Sequence, residues 1–95
     1  APALDALRSK DLIGKVKLAT FDLSPDVINA VRRGQIEFAV DQQPFLQGYL
    51  PVLFLAQYAR YGLLPDRGRL VATGPSFVTR DTADAVGRLA DQEIR

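Results

Sequence analysis

The sequence predicts an α/β chain with a Rossmann-like βαβ centre, and three observations carry that prediction. Residues 15–22 alternate polar and apolar as a strand does, residues 24–34 hold the start and stop signals of a short helix, and residues 35–43 alternate again. Strand, helix and strand follow one another through tight connections, which implies a parallel, right-handed unit.

Taken in order, "APALDALRSKDL" opens the chain as an amphipathic helix, with Leu4, Leu7 and Leu12 at roughly helical spacing. Gly14 ends that turn. In the first strand Val16, Leu18 and Thr20 share one face, and Lys17, Ala19 and Phe21 share the other. Ser24 is the N-cap of the next helix, Pro25 suits its first position and Asp26 suits the positive end of its dipole. Val27, Ile28 and Val31 form its apolar face, Arg32 and Arg33 fill the last turn, and Gly34 is the C′ stop. Ile36, Phe38 and Val40 then alternate as the second strand. A long apolar helix is expected from Pro44 to Tyr61, followed by a loop marked by Gly62, Pro65 and Gly68. "RLVATG", residues 69–74, reads as a further strand, Gly74-Pro75 as a turn, and residues 81–95 as a short terminal helix or tail. Neither an internal repeat nor a low-complexity run interrupts the chain.

Ninety-five residues allow one domain at most, near the size at which a single core is marginal. A 47% hydrophobic and 24% charged composition marks a globular chain rather than a disordered one. Twelve basic residues are scattered among eleven acidic ones, and Arg32-Arg33 is the only adjacent basic pair. Nucleic acid is therefore not an expected partner, because tracking phosphates needs a basic cluster. The chain has no Cys and no His, which removes thiol nucleophiles, disulfides, the commonest zinc sites and imidazole bases together. Ser9, Ser24 and Ser76 thus lack a triad partner, and no acid–base constellation points to an enzyme. The acids are dispersed and no glycine-rich phosphate loop is present, so neither metal nor cofactor is expected. The chain also lacks Met, as expected of a processed or excised polypeptide, and its start lacks the layout of a signal peptide.

The 44–61 segment carries Pro51, Gln57 and Arg60 and falls short of the ~20 uninterrupted apolar residues of a membrane span. Its apolar residues, from Phe45 and Leu46 to Leu55 and Tyr58, point in nearly every direction, as in a helix buried within a larger core. That core exceeds what the rest of the chain supplies, so a homo-oligomer is expected of this chain alone. Pro51 is expected to bend the helix or delay its start.

In a parallel α/β sheet, ligands bind outside the carboxyl ends of the strands. Asp22 closes the first central strand and Gln42 the next. On neighbouring strands about 4.8 Å apart, both side chains can face one crevice. A carboxylate accepts two hydroxyl hydrogen bonds and a carboxamide both donates and accepts, a pair suited to the vicinal diol of a sugar. The pattern equally allows ordinary turn residues, with Asp22 and Ser24 capping a local turn. Asp41 shares the ambiguity, and alternation points it away from Gln42.

The run "VKLATFDLSPDVINAVRRGQIEFAVDQQPFLQGYLPVLFLAQYARYGLLP", followed by "VATGPSFVTRD", resembles the C-terminal part of type I periplasmic sugar-binding proteins, which serve bacterial ABC importers. The resemblance implies part of one such lobe: residues 1–43 as a second-lobe βαβ unit, and residues 44–95 as hinge-crossing helix and strand. It implies a sugar ligand, a membrane permease as partner and a periplasmic location. It assigns Asp22 and Gln42 to ligand binding, with Asp41 beside them. Gln43, Pro44, Thr73 and Gly74 then belong to crossings between lobes that close by hinge motion. Most of such a protein, including its first-lobe ligand groups, lies outside this sequence. The effector domain of a LacI-type repressor shares the fold and is the alternative; the wording "QQPFLQGY" favours the transport protein.

Overall fold

The computed structural model describes residues 2–65 and 70–94. The elements in chain order are α1 (Pro2–Ser9), β1 (Ala19–Phe21), α2 (Pro25–Arg32), β2 (Phe38–Asp41), α3 (Pro44–Tyr61), β3 (Ser76–Val78) and α4 (Ala83–Asp91). β1 and β2 pair in parallel, with Phe21 opposite Val40, and β2 pairs antiparallel with β3, with Asp41 opposite Ser76. The sheet order is β1-β2-β3. The βαβ centre therefore forms as the alternation and the helix signals require.

α2 shows why. The Ser24 side chain accepts from the Val27 N–H at 3.3 Å, Pro25 starts the helix, and Gly34 follows it in the left-handed region with φ of 74°. The apolar stripe Val27, Ile28, Ala30 and Val31 is buried, with Ile36, Ala39, Val78, Ala83 and Val86, in one core. α4 packs on α2, where Arg32 pairs with Asp84 and Gly87 lets the backbone approach Ile28. Alternation assigns Thr20, Ala39 and Val78 to the core face of the sheet. Phe21, Val40 and Phe77 fall on the opposite face, where Phe77 meets Phe38 edge-on at 5.5 Å between centroids.

Several expectations are corrected. α1 ends at Ser9, so Leu12 lies beyond it, and its carbonyl instead accepts the N–H groups of Lys15 and Val16 in a turn. That turn consumes the start of the expected first strand, leaving β1 as residues 19–21. Residues 70–74 form no strand, and the third strand lies at 76–78, where β2 finds its ladder partners after the cis Gly74–Pro75 bond. Gly68 and Arg69, in the predicted loop and strand, lie outside the described residues. Pro51 does not delay α3, which begins at Pro44 and runs through it. β3 pairs with β2 and α4 packs on α2, so both belong to the same packed unit as the βαβ centre.

α3 stands apart. None of its residues is buried, although it is apolar on every side. The molecule measures 58 × 26 × 21 Å with a radius of gyration of 17.4 Å, against about 12 Å for a compact chain of this length.

Candidate ligand-binding site

The carboxyl ends of β1 and β2 form a corner. Asp22 follows β1 directly, and its N–H donates to the Val40 carbonyl at 3.2 Å. Its φ of 66° turns the chain out of the sheet toward α2, in a backbone region that Asp tolerates better than most residues. Gln42 follows β2. Asp22, Leu23, Asp41, Gln42 and Pro44 together line a cleft of about 210 Å³. That is below the ~300–1,000 Å³ of a complete small-molecule site.

The three acidic and amide groups differ in exposure. Asp22 and Gln42 are open to solvent, whereas Asp41 is 1% exposed and forms the floor of the cleft. Asp41 Oδ1 accepts the Gln43 N–H at 2.8 Å, which closes the turn out of β2. Gln43 itself has φ of 53° and caps α3 through its backbone, with Pro44 at the first helical position.

Gln42 also borders a second cleft of about 290 Å³, lined by Phe21, Val40, Gln47, Thr73, Gly74 and Pro75. Here the segment around Thr73 runs beside the exit from β2. Thr73 Oγ1 donates to the Gln42 carbonyl at 3.0 Å, and Gln47 Nε2 donates to the same oxygen at 3.0 Å. At Gly74, a Cβ would sit 3.1 Å from the Asp41 carbonyl and 3.2 Å from the Ser76 nitrogen, so glycine allows the close approach.

The sequence reading missed two residues of this corner. Phe21 is 64% exposed and offers an apolar wall beside Gln42; its signal was a large apolar side chain on the strand face away from the core. Gln47 carried no signal, because its role depends on where the Gln42 carbonyl falls. Another cleft, about 420 Å³ between α1 and α2, lies away from the strand ends. Its charges are partly satisfied among themselves, with Arg8 3.6 Å from Asp5 and 3.1 Å from Gln35. Among the described residues no group of His, Cys, Asp and Glu gathers as a metal site, and no helix is long and apolar enough to cross a membrane.

No protein-family model matches the chain. A xylose/arabinose-binding protein from Sulfolobus acidocaldarius is 40% identical over 45 residues, which is 47% of this chain and 11% of that protein. A carbohydrate transporter from Acidothermus cellulolyticus, crystallised in complex with myo-inositol, superposes on all of this chain and 34% of its own, at 36% identity and a TM-score of 0.82. The chain has the fold of one part of a periplasmic sugar-binding protein. Two further structures of that kind agree. An arabinose-binding protein from Geobacillus stearothermophilus covers 86% of this chain at 28% identity, with a TM-score of 0.69. A periplasmic ribose ABC transporter from Conexibacter woesei covers 95% at 26% identity, with a TM-score of 0.74. The chain spans 30–34% of the length of these solved periplasmic sugar-binding proteins.

Proposed function

We propose that this chain supplies one wall of the sugar site in a periplasmic binding protein that delivers its ligand to the permease of an ABC importer. The observation that carries the reading is the meeting of Asp22 and Gln42 in one cleft at the carboxyl ends of two parallel strands. Asp22 accepts hydrogen bonds from two ring hydroxyls, Gln42 both donates and accepts, and Phe21 lies against the C–H face of the ring. Asp41 supports them from below by fixing the turn into Gln43. The chain performs no covalent chemistry; its work is recognition. The similar proteins, named for carbohydrate, arabinose, ribose and xylose, support the transport reading over a repressor effector domain.

Residues 2–43 and 76–94 form the lobe, and the chain leaves it through Gln43-Pro44 and returns through Thr73-Gly74, the two crossings at which the lobes hinge. α3 then belongs to the core of the other lobe. Expressed by itself, the chain covers α3 by homo-oligomerisation.

Calorimetric titration of the intact binding protein with ribose, arabinose, xylose and myo-inositol tests the site. Asp22→Ala and Gln42→Ala are each expected to weaken binding by ~1–3 kcal/mol, the cost of hydroxyls left unpaired. Wild-type affinity in either variant removes that residue from the site.

A further inference from the structure

Beyond the side chains that would meet a sugar, one backbone carbonyl of the corner, that of Gln42, is held by side chains rather than by the sheet. The β2 ladder ends at Asp41 opposite Ser76, so the Gln42 carbonyl lies past the last sheet pair. A backbone carbonyl there must find other donors or water. It finds two side chains from separate segments: Thr73 Oγ1, 31 residues away, and Gln47 Nε2 in the first turns of α3, each at 3.0 Å. A carbonyl oxygen has two lone pairs, and two donors converge on this one. On either side the backbone is fixed as well. Asp41 Oδ1 holds the Gln43 N–H, and Gly74 packs within reach of the Asp41 carbonyl and the Gln42 Cα.

We infer that Thr73 and Gln47 are positioning residues for Gln42. Their two hydrogen bonds fix the plane of the Gln42–Gln43 peptide, and with it the direction from which the Gln42 carboxamide enters the cleft. Neither side chain needs to touch the sugar. The same bonds tie the returning segment at Thr73 to the departing one at Gln42, so the site cannot shift without both crossings shifting. This inference rests on the sugar-site reading and adds to it two residues whose effect on affinity passes through a third.

The test uses the intact binding protein, titrated with ribose, arabinose, xylose and myo-inositol. Thr73→Val keeps the shape and removes the donor, Thr73→Ser restores the donor, and Gln47→Leu removes the second one. Thr73→Val and Gln47→Leu are each expected to weaken the best-bound sugar by about three- to tenfold, the effect of one hydrogen bond. Thr73→Ser should bind within about twofold of wild type if the hydroxyl is what matters. On a Gln42→Ala background, Thr73→Val should cause no further loss, because the side chain it orients is gone. Gln47 is exposed and Thr73 half-buried, and thermal melting of each variant checks that it is folded.

The outcomes separate the two ideas. Failure of the wild type to bind any of the four sugars, or an unchanged affinity in Gln42→Ala, overturns the sugar-site reading. Weakened binding in Gln42→Ala with wild-type affinity in both Thr73→Val and Gln47→Leu overturns the positioning role alone. A full additional loss from Thr73→Val on the Gln42→Ala background also overturns it, since Thr73 would then act by another route.

Discussion

α2 and α3 are both specified clearly, yet one closes a core and the other lies bare. α2 places its apolar residues in a single stripe, and that stripe meets β2 and α4, so Val31 reaches zero exposure. α3 spreads Phe45, Tyr49, Val52, Leu53, Leu55, Tyr58 and Tyr61 around its axis, and these remain 37–68% exposed. Leu46, Leu50, Phe54 and Val71 line an apolar groove along the same helix. An amphipathic helix needs one neighbour, whereas a helix apolar all round needs several. The packed unit finds its neighbours among the described residues, whereas none of the residues of α3 is buried by them.

The largest expected effect of that difference is association. Seven large side chains left about half wet, at ~1.5–3 kcal/mol for full burial of each, forfeit on the order of 5–10 kcal/mol. That is comparable with the whole stability of a domain. Light scattering on the isolated chain at tens of micromolar is expected to show a dimer or larger assembly. A cooperatively melting monomer would show that the bare helix is tolerated, and the contrast with α2 would lose its energetic meaning.

Core truncation sharpens the contrast. Ile36, 1% exposed, is expected to cost ~2–5 kcal/mol when changed to Ala, measured by urea denaturation of the intact binding protein. In that protein Leu55→Ala should cost a similar ~2–5 kcal/mol if α3 is core there. A change below about 0.5 kcal/mol for Leu55→Ala would mark an exposed position and place α3 on the surface of the whole protein.

Smaller effects probe the two ends of the corner. Gly74→Ala forces a Cβ to 3.1 Å from the Asp41 carbonyl, and backbone on both sides leaves little room to yield. A loss of ~1–3 kcal/mol is expected in the same urea experiment, typical of overpacking. Ser24→Ala removes the acceptor for the Val27 N–H and should cost ~0.5–2 kcal/mol. An unchanged denaturation midpoint for Ser24→Ala would mean that packing on β2 and α4, rather than the cap, holds α2 in place.

By itself the sequence determined what local signals encode. Ser24, Pro25 and Gly34 bracket α2, and Pro44 and Gly62 bracket α3, because caps and breakers act within a few residues. Alternation identified β2 and the parallel unit, and with them the strand ends where Asp22 and Gln42 meet. Tertiary structure decided what depends on distant partners. Residues 70–73 (Leu-Val-Ala-Thr) and 76–78 (Ser-Phe-Val) have comparable strand character, and only the ladder with residues 39–41 selects the second. Asp41 and Gln42 are adjacent polar residues, and alternation separates their faces without saying which one is buried. The core beneath β2 makes that choice, leaving Asp41 as the floor and Gln42 at the opening. The convergence of Thr73 and Gln47 on one carbonyl is likewise absent from any local pattern. It arises because the chain leaves the sheet after Asp41 and Thr73 returns beside Gln42, 31 residues on, a proximity that only packing creates.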